Sequence, residues 1–213
     1  MRPLVLILCL GLPLPGAGGN PLKIVQGENF VNSLKMTLIW LDEGFWASAT
    51  ETTQGEHEKI MADNPSRFPG TTQPVQGCGW SAANEFCRRL TAQEQQSVPA
   101  GWSYRLPNEQ EWEALVMQAR PDSGKQSASG PVSVDSLAAD PRGFKGVLGN
   151  VWEWCSDYYN DKRQEFVVRG GAWDSRMAAG DLPSHRGFSP ALVGRGNDGF
   201  RVFLAPDPGV RKP

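Results

Sequence analysis

The stretch Gly149-Asn150-Val151-Trp152-Glu153-Trp154 decides how this chain is read. Its glycine permits a tight turn, and the indoles beside it are the largest side chains available to plug a core. The same device recurs at Gly79-Trp80 and at Gly170-Gly171-Ala172-Trp173, so half of the eight tryptophans stand in glycine-bounded phrases. Such a chain builds its interior from a few large plugs held by turns.

Outward from that run lie short apolar pieces separated by glycines: Val147-Leu148, Phe166-Val167-Val168 and Phe200-Arg201-Val202-Phe203-Leu204. Upstream, Met36 to Trp40 has the β-branched, apolar character of a strand and passes through Asp42-Glu43-Gly44 to Phe45-Trp46. Three helices are expected. Thr53-Gln54-Gly55-Glu56 is a capping box opening a helix to about Met61, which Asn64-Pro65 ends. A second starts at Ser81 and sets Ala83, Phe86, Cys87 and Leu90 on one face. The third is capped by Asn108 with Glu111, carries Trp112, Leu115, Val116 and Ala119 at helical spacing, and closes at Pro121. Residues from Asp122 to Pro141 are rich in Ser, Gly, Ala and Asp without periodicity and read as a long surface loop or a partly disordered insert. The sum is an α+β fold, loop-rich, with a small irregular antiparallel sheet and a few helices.

At 213 residues the chain fits one domain, and 39% hydrophobic against 21% charged residues is a globular balance. The 24 glycines and 17 prolines agree with many loops. A formal net charge of -2 supplies no basic field, so nucleic acid is not an expected partner.

Arg2, an apolar run from Leu4 to Leu14 and the small-residue exit Pro15-Gly16-Ala17-Gly18-Gly19 read as a cleaved signal peptide over residues 1–19. The run is short of the roughly 18 residues of a membrane anchor, and Cys9 follows Leu8 where a lipoprotein would have a small residue. The mature protein is thus expected in the periplasm or outside the cell, with no integral membrane segment. Residues 20–205 form the domain and 206–213 a tail. Export permits disulfides. The mature chain keeps Cys78, Cys87 and Cys155, so at most one pair forms; none has CxxC spacing, and structural use is expected.

Several phrases occur in a familiar order: Asn32-Ser33-Leu34-Lys35-Met36, Glu51-Thr52-Thr53-Gln54-Gly55-Glu56, Asn64-Pro65-Ser66-Arg67-Phe68-Pro69-Gly70, and Pro74-Val75 ahead of Gly79-Trp80-Ser81-Ala82-Ala83. Next come Arg105-Leu106-Pro107-Asn108-Glu109-Gln110-Glu111-Trp112-Glu113, the run quoted first, Arg169-Gly170-Gly171-Ala172-Trp173 and Gly199-Phe200-Arg201. In this order the chain resembles the formylglycine-generating enzyme, or sulfatase-modifying factor, family. The resemblance implies a C-type-lectin-like fold with a surface groove. It also implies calcium, held by the Glu153 side chain and the carbonyls of Gly149 and Val151, since Ca²⁺ takes carboxylate and carbonyl oxygens. Where the family often offers an asparagine three residues before the first glycine of the run, this chain has Gly146, which removes one oxygen. The alternative makes Glu153 a buried acceptor for backbone amides. A second family calcium site falls near Asp122 to Arg142.

The family's reaction oxidises a client cysteine to formylglycine with dioxygen, through copper on two thiolates. Those two positions, counted from Gly170-Gly171-Ala172-Trp173, hold Ser175 and Gly180, and no cysteine follows Cys155. Copper is therefore not expected, because Cu(I) requires soft ligands. Only His57 and His185 are present, too few for a three-histidine iron site, and no spacing brings them together with a carboxylate. Ser184 or Ser175 with His185 and Asp174 or Asp181 lacks a nucleophile elbow. The groove candidates are Trp173, Asp174, Ser175, His185 and Arg186. Arg201, beside Phe200, reads as half of a buried ion pair, and Asn197-Asp198 and Trp173-Asp174 loosely echo a lectin's calcium cluster. The expected function is an exported binding or accessory module without copper oxidase activity, with a protein or peptide client. The alternatives are an enzyme of altered chemistry on a peptide-like substrate and a calcium-dependent lectin-like ligand-binding protein.

Overall fold

The computed structural model describes residues 22–119, 129–176 and 184–207. The signal peptide expected over 1–19, the helix stop at Pro121, the loop start at Asp122, Gly180, Asp181 and the tail beyond 207 lie outside the described residues.

In chain order the strands and helices are β1 Phe30–Val31, β2 Thr37–Leu41, β3 Phe45–Ser48, α1 Gln54–Met61, α2 Trp80–Gln93, β4 Trp102–Arg105 and α3 Glu109–Ala119. There follow β5 Trp152–Tyr158, β6 Glu165–Arg169, β7 Gly187–Pro190, β8 Asp198–Gly199 and β9 Phe203–Pro206. The strands form two sheets rather than the single one expected. The first has the order β1-β2-β3-β9-β4 and is antiparallel throughout; the second has the order β7-β6-β5-β8, with β5 and β8 parallel. The fold is a loop-rich α+β architecture.

Alternation decides what each face buries. In the first sheet Leu38 and Trp46 join a cluster with Ala83, Phe86, Cys87 and Leu90 of α2. Ile39, Leu41, Phe45 and Ala47 join another with Leu115 and Ala119 of α3. The sheet is therefore apolar on both faces, and all four residues of β3 are buried. Trp154 enters the first cluster, while Cys155 and Val167 pack with Trp112 on the opposite face of the second sheet.

The helix boundaries follow from their caps. Thr53 accepts from Glu56 N–H while the Glu56 carboxylate accepts from Thr53 N–H at 2.7 Å, closing the box predicted for α1. Asn108 and Glu111 do the same for α3, at 2.8 Å each way, and Arg105 clamps Glu111 through both guanidinium nitrogens at 2.6 Å. α2 begins one residue before the expected Ser81. Its N-cap is Gly79 without a side-chain hydrogen bond, and a Cβ there would meet the Leu192 carbonyl oxygen at 2.9 Å. Three expectations shift. Val147 and Leu148 are buried without being a strand. Within the loop ending at Pro141, Val134–Ser136 is a 3-10 turn with Val134 buried and its N–H bonded to Thr72. Pro206 and Asp207, expected in the tail, are tied to β4 and Gly101.

Trp154 is fully enclosed and donates its indole N–H to the Cys78 carbonyl at 2.8 Å. Trp154→Ala is predicted to cost about 3–5 kcal/mol, whereas Met117→Ala, 78% exposed, stays within about 0.5 kcal/mol. Urea unfolding of both variants checks this pair.

Candidate functional site

The two glycine phrases are zipped together. Gly149 N–H donates to the Gly170 carbonyl at 2.8 Å, and Trp173 N–H to the Asn150 carbonyl at 2.9 Å. Gly149, Gly170 and Gly171 have φ of 81°, 88° and 77°, and Asn150 has 59°. This left-handed conformation suits glycine and is tolerated by asparagine, whose side chain bonds locally. Asn150 repays it with three hydrogen bonds: its amide donates to Glu51 Oε2 at 2.7 Å and the Val132 carbonyl at 3.2 Å, and its oxygen accepts from Val132 N–H at 2.8 Å.

Glu153 points away from solvent. Its Oε1 receives Arg201 Nε at 2.9 Å and Nη2 at 2.8 Å, and its Oε2 receives the Trp112 indole N–H at 2.9 Å. The remaining Arg201 donors reach the Ser48 and Lys145 carbonyls at 2.9 Å each. The ion pair expected of Arg201 is thus present, with Glu153 as its partner. Glu51, to which sequence reading gave no role, is the second carboxylate here. It accepts from Val151 N–H at 3.0 Å, and a Cβ on Gly146 would stand 2.9 Å from its Oε2. The space released by Gly146 is filled by the Glu51 carboxylate. Burial, then the neighbouring Glu153 charge, push the Glu51 carboxyl up to about 8, against the pull of Arg201, Asn150 and Val151 N–H. Burial also raises Glu153, with Arg201 opposing.

These positions do not fit the calcium expectation. Both Glu153 oxygens are spent on a guanidinium and an indole, and a cation bound there would face the Arg201 charge. Among the described residues no group of three or more His, Cys, Asp and Glu side chains is arranged to hold a metal. The thiols do not fit Cu(I) either. Cys78, Cys87 and Cys155 are free and buried, and burial is the leading cause that lifts Cys78 to about 12 and the other two above the usual range, so as free thiols they stay protonated. His57 is equally committed: its Nδ1 lies 3.0 Å from the Asp63 carbonyl, its ring stacks on Phe86, and burial lowers its pKa.

The groove candidates divide. Trp173, Asp174 and Ser175 follow one another on the loop after β6. Trp173 meets Phe68 edge-on at 5.5 Å, and the Arg67 guanidinium lies over Phe68 at 5.5 Å. Asp174 accepts from the Asn197 amide at 2.8 Å, so the two lectin-like phrases do meet. The Ser175 hydroxyl accepts Ala172 N–H at 2.8 Å, closing its own turn. Trp173 Nε1 and Asn197 Oδ1 are buried without a hydrogen-bond partner. His185 instead tilts over Trp152 at 5.5 Å. Arg186 reaches Glu109 at 2.7 and 2.9 Å and the Tyr159 carbonyl at 2.7 Å. Phe68 and Asn197 complete the site, and their sequence signal was membership in phrases rather than any chemical pattern of their own.

Residues 115–206 match the model of the sulfatase-modifying factor enzyme 1-like domain. Over that stretch, a little under half of its length, the chain resembles a sulfatase-modifying factor domain. Among its curated relatives is the Bos taurus protein named inactive C-alpha-formylglycine-generating enzyme 2, 23% identical over 176 residues, which cover 68% of this chain and 51% of that protein. Another is the serine/threonine-protein kinase pkn1 of Chlamydia caviae, 30% identical over 132 residues; the match takes in 48% of this chain but only 19% of the kinase. The fold is that of PvdO from Pseudomonas aeruginosa, with a TM-score of 0.67 at 15% identity, over 85% of this chain and 99% of the other. No helix among the described residues is long and apolar enough to cross a membrane.

Two outcomes follow from the Glu51–Glu153–Arg201 cluster. The native Glu51 keeps its proton between its ordinary 4.5 and about 8, where the unfolded chain has lost it, so its contribution favours folding below that window and fades as pH rises through it. Melting temperatures across the window are expected to fall less steeply with pH in Glu51→Gln than in the parent. Arg201→Met, which strands buried Glu153, is expected to cost about 3–5 kcal/mol, while millimolar calcium or EDTA leaves the parent's melting temperature unchanged. A calcium-induced rise would restore the metal at this position.

Proposed function

We propose that this domain is an exported binding or accessory module that holds a peptide segment of a client and carries out no copper-dependent oxidation of it. The observation that carries the proposal is the state of the loop after β6. At the position where the family's first thiolate would stand, the Ser175 hydroxyl is engaged in its own turn. On this loop and on the Asn197 phrase bonded to it lie one buried donor and one buried acceptor, Trp173 Nε1 and Asn197 Oδ1, each without a hydrogen-bond partner among the described residues. A peptide unit offers the complementary pair, a carbonyl for the indole N–H and an amide N–H for the asparagine oxygen. Filling two such vacancies on binding is favourable because each group has already been desolvated. The Phe68 and Trp173 rings supply an apolar wall for a neighbouring side chain. A binding role also accords with the inactive bovine relative, although the activity stated in that name belongs to that protein alone.

Incubation of the purified protein with copper, dioxygen and a labelled Cys-x-Pro-x-Arg peptide is expected to leave the peptide's mass unchanged. The same peptide, followed by fluorescence anisotropy, is expected to bind and to lose about ten-fold in affinity in Trp173→Ala and in Asn197→Ala, roughly one stranded hydrogen bond each. Formylglycine in the mass spectrum, or variants that bind as the parent does, would overturn the proposal.

A further inference from the structure

A second surface lies along β7, an edge strand of the second sheet, and the turn that leads into β8. Three contacts run in series there. The Arg186 guanidinium covers Tyr159 at 4.6 Å, Tyr159 packs on Phe188 at 4.8 Å, and the Arg195 guanidinium covers Phe188 at 5.2 Å. The two ends of the stack differ. Arg186 is consumed by Glu109 and by the Tyr159 carbonyl. Arg195 is exposed and uses its backbone N–H to bond Asp198 Oδ2 at 2.7 Å, while among the described residues its guanidinium has no hydrogen-bond partner. Charge on Arg195 is felt by the buried Asp198 carboxylate, but the face of its guanidinium lies on a ring and its N–H edge stays open.

Apolar surface surrounds this cation. Phe188 is 36% exposed, and Leu192 and Val193, on the loop leaving β7, are 83% and 73% exposed. Among the described residues β7 pairs only with β6, so it stands at the edge of the second sheet. An open edge with apolar neighbours is a template for another strand, and a guanidinium held flat on an aromatic ring is ordered in advance for a carboxylate.

We infer that β7, with Arg195 and the Leu192–Val193 loop, docks an extended acidic segment of a partner protein, which adds a strand to the second sheet and sets a carboxylate on Arg195. Main-chain bonds to the edge supply affinity and the alternating side chains supply selection. Through the Arg195–Asp198 turn this surface borders the Trp173 site, but it uses different side chains and neither proposal requires the other.

The test uses the whole protein and a fluorescein-labelled Val-Glu-Val-Glu-Val-Glu peptide, followed by anisotropy. Binding is expected, and Arg195→Gln should weaken it about five-fold, the ~1 kcal/mol of an exposed charge pair. Leu192→Asp should weaken it at least as much, while Trp173→Ala leaves it unchanged. Both altered side chains are exposed, so unchanged melting temperatures confirm that the variants fold. A peptide with lysine for glutamate, or with proline at its centre, should bind more weakly than the acidic one. Equal binding by Arg195→Gln, equal binding of the lysine or proline peptide, or displacement by heparin equally from parent and Arg195→Gln would overturn the inference, the last by showing general polyanion attraction.

Discussion

Everything in this domain hangs from one buried carboxylate. Glu153 sits on β5 and ties together a side chain of α3, through the Trp112 indole, and Arg201, which in turn holds carbonyls at the end of β3 and at Lys145. Four segments far apart in the chain meet at one anion. Removing charged groups from water is costly, and the cost is offset here because both Glu153 oxygens and all three Arg201 nitrogens are hydrogen-bonded. Glu51 lies against this centre, bonded to Asn150 and Val151 N–H, and burial with the nearby Glu153 charge pushes its carboxyl up to about 8.

That centre also fixes the groove. Asn150, held by Glu51 and Val132, presents its carbonyl to Trp173, and Gly149 grips Gly170. The loop bearing Trp173, Asp174 and Ser175 is therefore positioned by the core through its backbone as well as by its own side chains. A domain built this way can exchange the residues that follow Trp173 while keeping the surface in place. The family likeness lives in this support, and the chemistry lives in the few positions that the support presents.

Much of this was legible in the sequence because it rests on local rules. The capping boxes at Thr53 and Asn108 and the buried face of α2 depend on residues within one or two helical turns, and each appears where the spacing puts it. The order of the glycine and tryptophan phrases identified the fold family, and Arg201 read correctly as a buried ion pair. What escaped depends on contacts across long stretches of chain. No pattern near Glu51 announces that it approaches Gly146. The division into two sheets was missed for the same reason: β8 has two residues and pairs in parallel with β5, which periodicity in so short a segment cannot reveal. The calcium expectation lost its footing on a matter of geometry, since a sequence shows that Glu153 is present but not which of its neighbours has already taken its oxygens.

The position of β9 governs how such a molecule comes into being. This strand, drawn from residues 203–206, is wedged between β3 and β4 in the middle of the first sheet, so strands from the early part of the chain border a gap until it arrives. Closing that gap joins residues roughly 150 positions apart, as the bond from Arg201 to the Ser48 carbonyl does across 153. Such a topology places the contacts that complete the first sheet late in synthesis, and contacts between residues so far apart in sequence form slowly.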